Sequence, residues 1–452
     1  MDLQKVFRDP VYNLISFDKK EDKPILEIIN TPEFQRLRRI RQLGLSSYTY
    51  PTAVHDRFSH SLGVTYIVGL LFDNLNIEEK SVKITTPDGD TIPLNKKELK
   101  LLIQLAGLLH DIGHGPFSHA FEKITKVDHE EMSKEIILNE NGNIYPILKG
   151  IDNEILAKHS PQWIVEIITG GTFEPIWVKE LISSQLDADR MDYLLRDAYM
   201  CGVNYASFDY KWLFQNIELG EIKNENNRKG LLINAKKGIH AVESFIISRY
   251  HMYEQVYFHK TTRCFEVIAH KIFERLKRLK KDNKLDDSFF LNKSLPSFIE
   301  TSSLDDYLLL DDFNLYTHFN HWIFLNKDSI LKQMCETIIY RRPYKLFKEI
   351  ENDSLFEYNT QSLIMKTLGK YSDEPEYLFL EDKYSNIPYK DTYLLGKSSS
   401  ENASHIWLKG EDLREFSEVS PIIGSLKNRD LKRKRAYIPH EYYKEIVELV
   451  NS

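Results

Sequence analysis

The segment LLHDIGHG sets His110 and Asp111 side by side where an apolar stretch ends; every residue of 101–109 except Gln104 is apolar or glycine. An imidazole and a carboxylate delivered together from a water-poor helix are both metal-ligand types. Two further donors, His60 in HSLGV and Asp189 in LDADR, fall in segments of helical periodicity. Two imidazoles and two carboxylates suit a divalent transition ion such as Fe, Mn, Co, Ni or Zn. Four protein ligands leave positions on a six-coordinate ion for water and a phosphate oxygen, so the ion can act as Lewis acid and acidify a water. The bland alternative is two histidines satisfied in a core and two unrelated carboxylates, and spacing alone leaves both readings open. Gly113 and Gly115 end the helix, and the expectation is that they let a substrate approach the backbone.

Other residues could serve the same chemistry. His114 and His129 are candidate proton donors, since a leaving alkoxide needs a proton and histidine titrates in the right range. Asp189, Tyr193, Arg196 and Asp197 share one helical face. For Arg196 the simpler reading is a surface salt-bridge ladder. Arg249, Tyr253, Tyr257 and Lys260 form a second stripe. Such an aromatic stripe is ordinarily core, but its flanking cations suit a polyanionic ligand. Arg36, Arg38, Arg39 and Arg41 read as a solvated basic face.

Elements must position these groups. Thr31-Pro32 reads as an N-cap with proline in first position, opening a helix over 31–42. A hairpin is expected over 82–94, followed by a capping box (Asn95 with Glu98) that starts the helix ending at His110. Single helices are expected over 176–200 and 238–279, with a hairpin over 217–235 between them. Beyond about 285 short aromatic and acidic segments predict a mixed α/β lobe closed by a helix over 440–450. The fold class is therefore mainly α: a helical core with small β-hairpins, a catalytic domain over 1–285 and a mixed α/β C-terminal lobe over 286–452.

With 452 residues, 42% hydrophobic and 28% charged, the chain has the composition of a globular protein, and its net charge of −7 argues against a nucleic-acid coat protein. Cys201, Cys264 and Cys335 form no CxxC pair, which fits a reducing compartment. The first ten residues are charged and carry no apolar signal stretch, and no apolar run reaches membrane length, so a cytoplasmic protein without a membrane partner is expected.

Five motifs, FQRLRRIRQLG, HDRFSHSLGV, LLHDIGHGPFSHAF, LDADRMDYLLRD and SRYHMYEQVYFHK, occur in this order within residues 1–280. In sequence and spacing they resemble the HD-domain deoxynucleoside triphosphate triphosphohydrolases. The resemblance is to the branch holding the mammalian SAM-and-HD-domain dNTPase and shorter bacterial relatives. It implies that His60, His110, Asp111 and Asp189 are the metal ligands. It also implies that His114 and His129 are catalytic, with Glu122 holding His129 where the family more often has Asp. Arg57, Arg190 and Arg249 fall at positions that contact phosphates. Tyr193, Asp197 and Tyr257 fall where the sugar is held, Asp197 taking the 3′-hydroxyl. Gln42 and Leu43 match the pair that crowds the 2′-position, and Tyr253 stands where the mammalian member has histidine.

The same resemblance implies a homotetramer activated by nucleotide bound between subunits, a dNTP or GTP. Lys5, Val6, Gln35 and Arg38 match that activator site. Asn30 replaces the acid that reads the guanine edge, and an amide cannot accept two hydrogen bonds from guanine as a carboxylate does. The expected reaction is hydrolysis of a dNTP to deoxynucleoside and inorganic tripolyphosphate, with phosphate charge met by the metal, Arg57, Arg190, Arg249 and Lys260, and with Mg²⁺ accompanying the phosphates. The alternatives are HD phosphohydrolysis of another nucleotide or nucleic-acid phosphoester, and a nucleotide-sensing or single-strand nucleic-acid-binding protein using the basic residues of 427–435.

Overall fold

A computed structural model describes residues 3–77, 80–85, 89–118, 121–122, 126–171, 173–222, 227–301, 303–351, 358–385, 387, 389, 405–427 and 432–451. The expected turn at 87–88 and part of the basic stretch 427–435 lie outside the described residues. The fold is mainly α, with four small sheets of two to four strands among the described residues. Ten helices carry the account: α1 (Arg57–Asn74), α2 (Lys96–Leu109), α3 (His129–Leu138), α4 (Glu154–Ile168), α5 (Ala188–Cys201), α6 (Ile239–Met252), α7 (Lys260–Lys281), α8 (Asp312–Leu325), α9 (Ser329–Ile339) and α10 (His440–Asn451).

Local chemistry fixes several of these elements as expected. β3 (Ser81–Thr85) pairs antiparallel with β4 (Thr91–Asn95) as the first expected hairpin, while β1 (Gln4–Asp9) pairs antiparallel with β2 (Asn13–Asp18) in a hairpin that was not expected. The capping box at α2 is complete: Asn95 Oδ1 accepts from the Lys97 and Glu98 amides, and the Asn95 amide donates to Glu98 at 2.8 Å. β5 (Ile217–Ile222) and β6 (Arg228–Asn234) form the second expected hairpin.

α1 packs on α2 and α5, and α2 packs on α4, around a core holding Val64, Ile67, Leu105, Leu108, Trp163 and Leu194. A second core lies where α7 meets α8 and α9, through Phe265, Ile272, Phe319, Trp322 and Met334. A third joins Ile364, Leu368, Ile438 and Ile446 beneath the three-stranded sheet of β7 (Lys345–Glu351), β8 (Leu380–Tyr384) and β11 (Arg433–Ile438). β9 (Trp407–Lys409) pairs parallel with β6 and antiparallel with β10 (Leu413–Glu415), while Ile406, Leu408 and Phe416 join the first core.

Three helices break where continuity was expected. The 31–42 helix is α-helical only over Pro32–Arg36 and tightens to a 3₁₀ turn over Leu37–Arg39. Tertiary partners pull it out of line: Arg36, 1% exposed, donates to Leu310 O and His114 O, and the Arg41 amide donates to Asp312. The expected solvated face is therefore wrong for Arg36. The 176–200 helix divides into Ile176–Glu180 and α5, because Asp187 caps α5 and accepts from the Arg190 and Ser184 amides at 2.7 Å. The 238–279 helix passes into a π-helical turn over Tyr253–Tyr257 and restarts at α7, where His259 accepts from the Thr261 amide.

Candidate metal centre and catalytic cleft

α1 supplies His60, the end of α2 supplies His110 and Asp111, and the first turn of α5 supplies Asp189. Their donor atoms converge. His60 Nε2 lies 3.1 Å from Asp189 Oδ1, 3.5 Å from Asp111 Oδ2 and 3.3 Å from His110 Nε2. His110 Nε2 lies 3.5 Å from both Asp111 Oδ1 and Asp189 Oδ1. Ligands at about 2.1 Å from an ion stand roughly 3.0–3.4 Å apart, so these spacings are those of one coordination sphere.

The hydrogen bonds behind the ligands agree. His60 Nδ1–H donates to Asp192 Oδ2 at 2.8 Å, and His110 Nδ1–H donates to Gly107 O at 2.8 Å. Both Nε2 lone pairs therefore face each other and the two carboxylates, an arrangement that calls for a cation. The electrostatics say the same. Burial works against a charged His60, yet its bonds to Asp189 and Asp192 and the nearby carboxylate charges raise its pKa to about 10. Asp189 and Asp111 are held low against burial, Asp189 chiefly by bonds from His110 and His60, Asp111 by the Arg57 and His110 charges. The residues present fit a divalent ion.

Above this floor opens a cleft of about 440 Å³. Gln42, Leu43, Arg57, Asp111, His114, Glu122, His129, Asp189, Tyr193, Asp197, Tyr253 and Tyr257 line it. Arg57 donates to Asp111, and through Nε to Ser118 Oγ at 2.9 Å. His114 and His129 stack with centroids 4.0 Å apart and planes 15° apart, and His114 Nε2 is 3.3 Å from Asp111 Oδ1. Asp111, His114 and His129 cluster closely enough to suggest a second ion. Parallel rings, however, direct their lone pairs side by side rather than onto one point. The surroundings shift the two histidines in opposite directions. Burial, with the Arg57 and His129 charges, lowers the pKa of His114 well below the usual range. Burial also opposes charge on His129, but its hydrogen bond and ion pair with Glu122 raise it overall. Asp197 Oδ1 takes a hydrogen bond from His55 Nε2 at 2.7 Å and Oδ2 one from the Tyr257 hydroxyl at 2.8 Å.

Other expected residues lie off the lining. Arg190 donates to Asp187 at 3.1 Å, and Arg249 is buried with its guanidinium 5.5 Å from the Tyr253 ring. Lys260 lines a neighbouring cleft with Arg342 and Lys345. Lys5 and Val6 are exposed on β1. Asn30 donates to Leu26 O, Gln35 donates to Ile29 O, and Arg38 donates to Gln35 while covering the Phe58 ring at 3.5 Å. The glycine expectation is overturned. A Cβ on Gly113 would meet His129 O at 2.1 Å, and one on Gly115 would meet Phe121 and Tyr307 at 2.8 Å. These glycines admit α3 and Tyr307, not a substrate. Arg196 is likewise no surface ladder, being 1% exposed between Asp192 and Asp9.

Sequence reasoning missed Asp192 and His55. Asp192 sits one turn after Asp189, and that i, i+3 pairing of carboxylates was the available signal. His55 had none, because its partner lies far along the chain.

The HD domain is matched over residues 57–197 and the HD associated region over 216–293, and the chain belongs to the HD-domain phosphohydrolase family of metal-dependent hydrolases. Among particular relatives it is 35% identical over 445 residues to Bacillus subtilis YwfO, covering 97% of this chain and 93% of that one. It is 30% identical to human deoxynucleoside triphosphate triphosphohydrolase SAMHD1, covering 79% of this chain and 55% of the human protein. A solved phosphohydrolase from Bacteroides thetaiotaomicron superposes with a TM-score of 0.75 at 25% identity, covering 97% of this chain and 100% of that one. No helix among the described residues is long and apolar enough to cross a membrane.

Proposed function

We propose that the protein hydrolyses deoxynucleoside triphosphates to deoxynucleoside and inorganic tripolyphosphate. The observation that carries this reading is one cleft of about 440 Å³ in which Asp111 and Asp189 of the four-donor cluster share the lining with Asp197, Tyr257, Tyr193 and Leu43. Similarity to SAMHD1, named for this activity, supports it. His60, His110, Asp111 and Asp189 would hold the divalent ion, which supplies Lewis acidity at the α-phosphate and acidifies water.

The chain's own groups do the rest. Asp197, held by His55 and Tyr257, accepts from the 3′-hydroxyl. Gln42 and Leu43 crowd the 2′-position. Arg57, on the cleft lining, donates to phosphate oxygens and a substrate-borne Mg²⁺ meets further charge, while Arg190 and Arg249 behind the lining and Lys260 in the neighbouring cleft contribute only their longer-range positive field. The oxygen of water bonds to the α-phosphorus, the bond from phosphorus to the 5′-oxygen breaks, His129 hands its proton to that oxygen, and the proton the water loses passes to solvent, from which His129 is reprotonated. His114, neutral, orients the neighbouring groups. A homotetramer regulated by a dNTP or GTP at Lys5, Val6, Asn30, Gln35 and Arg38 extends the reading. Asn30, whose amide N–H is already given to Leu26 O, makes the activator's base the open variable.

The test is incubation with each dNTP and NTP in Mn²⁺ or Mg²⁺, with identification of the phosphate released. Tripolyphosphate from dNTPs is expected. Orthophosphate or pyrophosphate would indicate another HD phosphohydrolase reaction. No turnover with salt-sensitive single-strand binding would indicate a nucleic-acid-binding role.

A further inference from the structure

The turn joining β1 to β2 reaches into the protein rather than out of it. Asp9 Oδ1 accepts from the Val11 and Tyr12 amides at 2.8 and 3.0 Å, and Asn13 takes a left-handed φ of 67°. This closes the turn on itself and leaves Asp9 Oδ2 and the Tyr12 hydroxyl turned inward, on residues 9% and 8% exposed. Arg196 Nη1 donates to Asp9 Oδ2 at 2.6 Å. The same guanidinium donates to both oxygens of Asp192, each at 2.9 Å. The Tyr12 hydroxyl donates to Asp192 Oδ1 at 2.7 Å, and Asp192 Oδ2 accepts from His60 Nδ1 at 2.8 Å.

Stability alone is a poor reason for this network. Burying a cation and two carboxylates costs desolvation that apolar side chains of the same size avoid. The fold also makes room for it deliberately: a Cβ on Gly63 of α1 would lie 1.8 Å from Asp192 Oδ1 and 2.4 Å from Arg196 Nη2. The helix that carries His60 gives up a side chain one turn later so that the network can press against it.

We infer that the hairpin turn is part of the metal centre, with Asp9 and Tyr12 as positioning residues that hold Asp192 against His60. Arg196 and His60 both donate to Asp192 Oδ2. Asp9 takes up part of the guanidinium's charge, and Tyr12 anchors Oδ1, so Oδ2 stays available to the imidazole. Without either, the carboxylate swings toward Arg196. His60 then loses the acceptor that fixes its tautomer and the aim of Nε2. The inference rests on the reading of His60 as a metal ligand.

The Co²⁺-loaded protein supplies the test, because its visible absorption reports the ligand field and its loss to a chelator reports retention. Asp9→Asn, Tyr12→Phe and Asp192→Asn should each alter the spectrum and release Co²⁺ roughly 10- to 100-fold faster than the unmodified protein. Leu14→Ala, an exposed change on the same hairpin, should do neither. Tyr12→Phe keeps the ring and its packing, so it tests the idea even if Asp9→Asn fails to fold; circular dichroism of the metal-free proteins monitors this. Unchanged spectra and release in Tyr12→Phe and Asp9→Asn, with Asp189→Asn abolishing the Co²⁺ signal, would overturn the hairpin's role alone. An unaltered signal in Asp189→Asn would overturn the metal assignment and this inference with it.

Discussion

Burial and a single carboxylate shift the two stacked cleft histidines in opposite directions. Glu122 raises the pKa of His129, so its protonated form is complete below the ordinary 6.5 and is lost as pH rises through the raised value. A proton donor of that kind sustains turnover above the pH at which an ordinary imidazole would fail. Glu122→Gln should move the alkaline limb of the pH–rate profile down toward 6.5; an unmoved limb would remove His129 from the donor role. His55→Ala should cost roughly 10- to 100-fold in kcat/KM for substrates with a 3′-hydroxyl, the worth of one hydrogen bond to a charged group, and much less for 3′-deoxy analogues. Steady-state kinetics on both classes check it. At this scale residue type and local spacing marked His110 and Asp111 as candidate donors, and the convergence of His60 and Asp189 on them needed the fold. The sequence was silent on His55, and the i, i+3 spacing of Asp192 from Asp189 did not disclose its partner; His60 and Asp197, the partners, are more than a hundred residues away.

The elements show the same division between local and distant causes. The capping box at Asn95 and the two expected hairpins were legible because their determinants lie within a few residues of one another, whereas the β1–β2 hairpin was not anticipated. The breaks before α5 and α7 were not. There the periodicity runs on while tertiary demands win, placing Asp189 in a first helical turn and Tyr253 and Tyr257 in the cleft wall. A carboxylate in a first turn also sits where the helix dipole favours it. Gly113 belongs here too, since it sets the distance between the end of α2 and the start of α3. Gly113→Ala would push against backbone atoms of His129 and Ser133. It should destabilise the fold by about 1–3 kcal/mol and reduce turnover further than that loss explains. Thermal melts beside kcat measurements separate the two effects, and full activity in a folded variant would count against the placement of His129.

Across the whole molecule, the donor set ties α1, the end of α2 and α5 together through the first core. An ion bound only by the folded chain stabilises it by about 4 kcal/mol when free metal is a thousandfold above its dissociation constant. Chelation should therefore lower the melting temperature, added Mn²⁺ should restore it, and His110→Ala should respond to neither. The mainly α class was legible from periodicity. The return of β9 to pair with β6 was not, because that pairing joins segments far apart in the chain.

Hydrolysis of a dNTP in ¹⁸O-labelled water, followed by mass spectrometry of both products, tests the proposed reaction most directly. Attack at the α-phosphorus places the label in tripolyphosphate and leaves the deoxynucleoside unlabelled, with no label transfer in Asp111→Ala. Label in the nucleoside 5′-hydroxyl, label in orthophosphate or pyrophosphate instead, or turnover undiminished in Asp111→Ala would contradict it.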